Sequence, residues 1–373
     1  LKKKVLFVAT VLRGHVLVFH LPYMRWFQQQ GYEVHLACRN DTGEAAPEVP
    51  YCDRYYDLPF ERSPFHRGNV DVYRRLKKII DENGYAAVHC HTPVGGMLAR
   101  LCARKARKQG TKVIYTAHGF HFFTGAPLKN WLLYYPAEWL LSHWTDLLIT
   151  INREDEARAR RFAAKQVALV GGVGVDLSRF DPPANRRQVR EMLGLAQDAK
   201  VIIAVGEHSK RKNHETILRA AALLKHVRVL LCGWGEGLES LKALAEELGI
   251  AHRVFFLGFR SDVPVVLRAA DVYVFPSLHE GLPVALMEAM AAGLPCVASD
   301  VRGCNDLIVP EEGGFLVEPM DHKAMAAAVT DLLSDEAMRS RMGRYNRMAM
   351  EQYTLPTVLE QMAALYRQLL KEE

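Results

Sequence analysis

At 373 residues, with 49% hydrophobic and 24% charged side chains, the chain has the composition of a soluble globular protein and enough length for two domains. No window approaches roughly 18 uninterrupted apolar residues, which excludes an evident membrane-spanning helix. The net charge of +6 is unevenly shared: residues 1–180 carry 26 Lys and Arg against 16 Asp and Glu, whereas 181–373 carry 22 against 26. Without a recognised nucleic-acid motif, that basic half reads as solvated surface, or as a face for an anionic membrane or a lipid diphosphate.

Leu1 to Thr10 places basic residues ahead of an apolar run. The run is too short for a signal peptide, and Arg13 and His15 follow it, so a first buried strand is expected over 5–9. Helix is predicted over 19–30, strand over 32–37, amphipathic helix over 70–83 and strand over 87–90. Helix over 95–108, strand over 112–116, helix over 130–142 and strand over 146–150 complete the first half. Short apolar strands separated by helices imply βαβ units and a parallel sheet covered on both faces. Gly171 to Asp176, followed by Phe180-Asp181-Pro182-Pro183, breaks the rhythm as a linker.

The alternation then restarts, with strands over 201–205, 227–232, 254–257, 272–275, 295–298 and 315–317. Helices are predicted between them over 215–224, 238–248, 263–270 and 283–292, and at the end over 323–333, 335–350 and 355–370. Seven cysteines, odd in number and without a Cys-x-x-Cys pair, indicate reduced thiols in a cytoplasmic compartment.

Four loops of the second half carry candidate chemistry, each at the carboxyl end of a predicted strand, where open α/β sheets bind ligands. Lys210, Arg211 and Lys212 share the first loop, and a lysine there can set a point charge on a diphosphate. Gly233-Trp234-Gly235-Glu236-Gly237 is a weak cradle pattern, and Gly258-Phe259-Arg260 follows a third strand, where a base could stack or bond to backbone. The most informative stretch runs from Phe275 through His279-Glu280-Gly281-Leu282-Pro283-Val284 to Glu288. Glu280 falls on the loop and Glu288 about a turn and a half into the helix. Backbone N–H groups at such a helix start take phosphate, and carboxylates accept hydrogen bonds from sugar and ribose hydroxyls.

On these residues the whole chain resembles glycosyltransferase family 4, the retaining nucleotide-sugar enzymes. Glu280 and Glu288 match its E-x7-E element, Lys212 its phosphate-binding lysine, and Gly172 to Asp176 with Phe180 its interdomain linker. His118, in Tyr115-Thr116-Ala117-His118-Gly119-Phe120-His121, matches the histidine that faces the donor sugar. One position departs: many members have an arginine five residues before the lysine, and this chain has Glu207 there, leaving Arg211 or Lys210 to supply the cation. Phe19-His20-Leu21-Pro22-Tyr23, His89 to Gly96 and Thr116 to Pro127 with Trp131 are similar to bacterial exopolysaccharide, capsular and glycan-assembly members.

The resemblance implies an α/β protein of GT-B architecture: two Rossmann-like domains, 1–180 on the acceptor side and 181–373 on the nucleotide-sugar side, facing across a cleft. The C-terminal helices would pack back toward the first domain. It implies a UDP-sugar donor, an undecaprenyl-diphosphate-linked acceptor, retained anomeric configuration, no metal or other cofactor, and a peripheral place at the cytoplasmic membrane face. Lys212 and Arg211 would meet the diphosphate, and the backbone from Gly281 and Leu282 to Pro283 and Val284 the sugar or β-phosphate. Glu280 would orient a sugar hydroxyl, Glu288 would accept from the ribose, His118 would contact the sugar, and Gly14 would let the backbone approach the phosphates.

Other readings are a nucleotide-sugar 2-epimerase, a non-catalytic sugar-nucleotide scaffold, a glycosidase built on two glutamates, and metal binding by His89/His91 or His118/His121. For membrane contact, the aromatic-rich stretch 131–144 and the basic helix 73–80 are the candidates, against burial of 131–144 on the sheet.

Overall fold

A computed structural model describes residues 2–371. It divides into one unit of Leu1–Val173 with Val358–Glu373, and a second of Gly174–Thr357. The first is built on strands β1 (Lys4–Val11), β2 (Glu33–Arg39), β3 (Arg54–Asp57), β4 (Ala87–His91), β5 (Lys112–Ala117), β6 (Leu147–Thr150) and β7 (Gln166–Leu169). They form one seven-stranded sheet in the order β3-β2-β1-β4-β5-β6-β7, with every pairing parallel. Strand β1 pairs Val5 with Val34 on one side and Ala87 on the other, and its residues from Val5 onward are buried. Covered faces require the continuous apolar run that the sequence supplies there.

The second unit repeats the plan with β8 (Lys200–Val205), β9 (Val227–Cys232), β10 (Val254–Gly258), β11 (Val272–Phe275), β12 (Cys296–Ser299) and β13 (Gly314–Val317). Their order is β10-β9-β8-β11-β12-β13, again all parallel. Parallel neighbours need crossovers, and helices such as His214–Leu223 between β8 and β9 provide them. Strand order reverses about β8 and β11, so the crevice at their carboxyl ends is open for a ligand.

Two strands lie outside the sequence reading. β3 and β7 are edge strands of four residues each, Arg-Tyr-Tyr-Asp and Gln-Val-Ala-Leu, and neither carries a buried apolar run. Short capped helices were also not expected. Arg153–Ala159 is capped by Asn152, which accepts from the Asp155 N–H, and Arg186–Met192 by the reciprocal Asn185/Gln188 pair. The helix expected over 95–108 is interrupted at Ala103, between Pro93–Cys102 and Arg104–Lys108. The helix expected from residue 19 is divided at His20, between Leu17–Phe19 and Leu21–Gln29, and a wide helical turn, Leu12–Val16, precedes both.

In the first unit the helix Gly68–Asn83 buries Val72, Leu76 and Ile80 at helical spacing and ends at Gly84 in the left-handed region. Its basic face is largely neutralised: Arg75, Lys77 and Lys78 each pair with an acid four residues on or before. The helix Leu128–Ser142 turns Trp131, Tyr134 and Tyr135 toward the core but leaves Leu128 and Leu132 each 72% exposed, with Leu133, Trp139 and Leu140 also outward. All seven cysteines are free, and among the described residues no helix is long and apolar enough to cross a membrane.

Candidate active site

In the second unit the loop after β8 and the loop after β11 are tied into one structure. The Leu278 N–H donates to the Arg211 carbonyl at 2.9 Å, and the Asn213 amide to the Pro276 carbonyl at 3.2 Å. Asn213 adopts a left-handed φ of 53°, a conformation its short polar side chain tolerates, and this turns the chain into the helix His214–Leu223. The result aims Arg211 and Lys212 at the second loop.

Both cations reach Glu280. Arg211 Nη1 and Lys212 Nζ each lie 2.7 Å from its Oε1, and the Ser277 hydroxyl donates to the same oxygen at 2.5 Å. Burial pushes the Glu280 carboxyl up, but Lys212, Arg211 and the hydrogen bonds outweigh it and hold the group below the usual range. Lys212 is lowered, by burial first and by Arg211, against the pull of Glu280. Two cations on one carboxylate leave a local excess of positive charge, which suits a phosphate. Lys212 also stands over the Phe275 ring at 4.6 Å.

The backbone of the second loop is held from below. Arg302 Nε donates to the Glu280 carbonyl at 2.7 Å. Gly303, at φ 81°, passes so close to the Gly281 carbonyl that a Cβ would collide with it, so only glycine fits. Pro283 precedes the helix Val284–Ala291 as its N-cap residue, and Leu282 beside it is buried. Glu288 falls in that helix's second turn, where burial raises its pKa while Arg179, 4.0 Å away, lowers it. Sequence reasoning missed Arg179, Ser277 and Arg302. Arg179 follows the linker glycines in a short turn, and nothing in the linear pattern placed it near residue 288.

A third element of the site is a cavity of about 280 Å³ at the ends of β8, β9 and β10, lined by Gly206, Gly233, Trp234, Phe259 and Arg260 among others. Phe259 is 74% exposed, and Trp234 is likewise outward, so two ring faces are available to stack on a planar base. Gly233 passes against the Gly206 carbonyl where a side chain would collide, which explains one glycine of the weak cradle pattern. Lys210 faces a different cavity, with His208 and Glu236, so Arg211 is the neighbour that joins Lys212.

In the first unit Gly14 sits in the wide turn Leu12–Val16, where the preceding Arg13 N–H donates to Asp41 at 2.6 Å. His118 follows β5, and its ring centroid lies 4.9 Å from that of His15, the neighbour of Gly14. His118 Nε2 is 3.4 Å from His91 Nδ1. His89 is committed elsewhere, to the Thr116 hydroxyl at 2.9 Å and the Tyr366 hydroxyl at 3.1 Å, and His121 packs on Tyr134. The pairs His89/His91 and His118/His121 therefore do not form as ligand pairs; His118 groups with other histidines.

Comparison with known proteins gives the family of the chain. Residues 185–349 match the family "Glycosyl transferases group 1", and residues 4–152 match "Glycosyl transferase 4-like". The chain is 43% identical over 372 residues to the glycosyltransferase EpsD of Bacillus subtilis, covering 98% of this chain and 96% of that one. It is 29% identical over 324 residues to an Escherichia coli UDP-Gal:alpha-D-GlcNAc-diphosphoundecaprenol alpha-1,3-galactosyltransferase, covering 82% and 81%. The fold matches Anabaena HepE, solved in complex with UDP, at a TM-score of 0.79 and 17% identity over 98% of this chain and all of that one.

Fold, site and relatives together define a glycosyltransferase of GT-B type. Its paired glutamates and basic loop both follow strands of the second, six-stranded sheet. More particularly, the chain belongs to glycosyltransferase family 4, among the bacterial glycan-assembly members.

Proposed function

We propose that this glycosyltransferase moves a sugar from a UDP-sugar to a hydroxyl of a polyprenyl-diphosphate-linked saccharide, with retention at the anomeric carbon. The observation that carries the donor half is the convergence of Arg211 and Lys212 on Glu280 beside the start of the helix Val284–Ala291. As the sugar–phosphate bond lengthens, negative charge grows on the departing diphosphate. Lys212, Arg211 and the N–H groups of Gly281, Leu282 and Val284 meet that charge without a metal. One such preorganised donor contributes on the order of 3 kcal/mol to lowering the barrier.

Glu280 and His118 orient the donor sugar, Glu288 accepts from the ribose hydroxyls, and Phe259 stacks on the base. Gly14 lets the backbone approach the phosphates. The acceptor hydroxyl approaches the face that the diphosphate leaves, so configuration is retained. UDP is favoured as the nucleotide because HepE was solved with UDP and with UDP-glucose, and because the E. coli relative is named for a UDP-galactose donor. That relative's diphosphoundecaprenol acceptor, with the apolar outer face of Leu128–Ser142, supports a lipid-linked acceptor met at the cytoplasmic face of a membrane.

Thermal unfolding with UDP, GDP, ADP and NAD tests the nucleotide. A ligand at about 100 times its dissociation constant adds roughly 2.7 kcal/mol, a shift of a few degrees. Stabilisation by UDP alone is expected; stabilisation by GDP or ADP alone would overturn the UDP assignment. Release of UDP only when acceptor is present separates the transferase from an epimerase or an idle scaffold.

A further inference from the structure

Three segments of the first unit bring imidazoles together. His15 lies in the turn Leu12–Val16, His20 just precedes the helix Leu21–Gln29, and His118 follows β5. Their ring centroids are 4.7 Å apart for His15 and His20, 4.9 Å for His15 and His118, and 5.7 Å for His20 and His118. One nitrogen from each ring lies within 4.8 Å of the other two. His20 is only 1% exposed, yet neither of its nitrogens has a hydrogen-bond partner, and Nε2 of His15 is also buried without one. A buried polar atom left unpaired is destabilising, so the orphaned nitrogens of His15 and His20, in a cluster that also brings in a His118 nitrogen, point to a ligand shared by the three rings.

We propose that His15, His20 and His118 form a three-imidazole site for a borderline divalent transition metal, with Zn²⁺ the ion of choice. A zinc–nitrogen bond of about 2.1 Å puts each ring centroid about 3.2 Å from the metal, and tetrahedral angles then separate the centroids by about 5 Å. The three observed separations bracket that value. An all-imidazole donor set suits zinc, copper or nickel and not the hard cations magnesium and calcium.

His91 provides an outer support. Its ring stacks on His20 at 3.7 Å and its Nδ1 reaches His118 Nε2, contacts of the kind that orient metal-binding histidines. His15 and Gly14 line a cavity of about 450 Å³, which gives an ion a route to the site. Where His118 also contacts the donor sugar, metal and sugar exclude one another at that ring. Measuring metal binding without donor keeps the two assignments separate.

The test is titration of the purified, untagged and EDTA-stripped chain with Co²⁺ and then Zn²⁺. About one equivalent of Co²⁺ should give the visible absorption of a four-coordinate site, and Zn²⁺ should displace it. His20→Ala and His15→Asn should each weaken binding at least about tenfold, whereas His143→Ala, at an exposed imidazole, should not. His15→Asn, at the partly exposed member, serves if His20→Ala fails to fold by circular dichroism. Absence of stoichiometric binding, or binding in folded His15→Asn equal to the parent's, overturns the proposal.

Discussion

Lys212 Nζ and Glu280 Oε1 lie 2.7 Å apart although 68 positions separate them, and they join the loops after β8 and β11. Neither residue is placed by its own loop alone. Ser277 and Arg211 bind the same carboxylate oxygen, so the acid is held at one point while the cations crowd around it. A phosphate entering here meets charge already in position, with little reorganisation left to do.

Lys212→Ala should therefore lower turnover by about 100- to 1,000-fold, matching roughly 3–4 kcal/mol of lost transition-state stabilisation. Arg211 stays on Glu280, so the fold should persist. Steady-state UDP release, with circular dichroism on the same samples, measures both; turnover within threefold of the parent would contradict the assignment.

Glu288→Ala should weaken UDP binding about 10- to 100-fold, the equivalent of 1.5–3 kcal/mol for a charged hydrogen bond. Glu280→Ala should act mainly on turnover. Burial raises the Glu288 pKa, so its carboxylate takes up a proton at a higher pH than an ordinary glutamate. UDP affinity should then fall as pH drops, beginning above the usual carboxylate range, and Glu288→Gln should flatten that dependence. Calorimetric titrations across pH 5–8 would reveal it, and identical profiles for the two proteins would count against it.

Membrane attachment should depend more on the helix Leu128–Ser142 than on the basic helix Gly68–Asn83. Arg75, Lys77 and Lys78 already have acidic neighbours, while Leu128, Leu132 and Trp139 are exposed apolar side chains. Leu132→Glu with Trp139→Glu should abolish flotation with anionic vesicles and leave the melting temperature nearly unchanged. Charge reversal at Arg74, Arg75, Lys77 and Lys78 should weaken it less. If the parent does not float, the attachment itself is refuted.

His214 should make the second unit sensitive to acid. Its Nδ1 meets His208 Nδ1 at 2.9 Å, and burial, with His208 and Lys212 nearby, pushes its pKa down to about 3. Below about pH 6.5 the unfolded chain takes up a proton that the folded chain refuses, so stability is full above that pH and is lost as pH falls toward 3. His214→Asn keeps a polar atom near the Nδ1 position but does not titrate. Its stability should fall less steeply, by up to about 1.4 kcal/mol per pH unit, in urea unfolding between pH 7 and 4. Parallel curves would disprove it.

The strands and helices with buried apolar patterns were legible because burial on both faces demands them: Val5 to Ala9, Val201 to Val205 and Val272 to Phe275 admit little else. β3 was not legible. Arg54, Tyr55, Tyr56 and Asp57 have no periodicity of their own, and they become a strand because β2 offers its free edge. Helix Leu128–Ser142 shows the same limit. Its aromatic and leucine residues read alike along the chain, and packing alone separates Trp131 and Tyr135 from the outward Leu128 and Leu132.

At the site, Glu280, Glu288 and Lys212 stood out from the amino-acid sequence because short motifs encode a strand end, a turn and a helix start in local order, whereas His118 was picked out by its resemblance to the family. The convergence of Arg211 with Lys212 on one carboxylate oxygen, the approach of Arg179 to Glu288, and the gathering of His15 and His20 around His118 arise from tertiary structure. Each contact joins segments whose distance apart is set by sheet order and crossover packing. Local chemistry names the groups that can react; the stacking of strands in parallel order determines which of them meet.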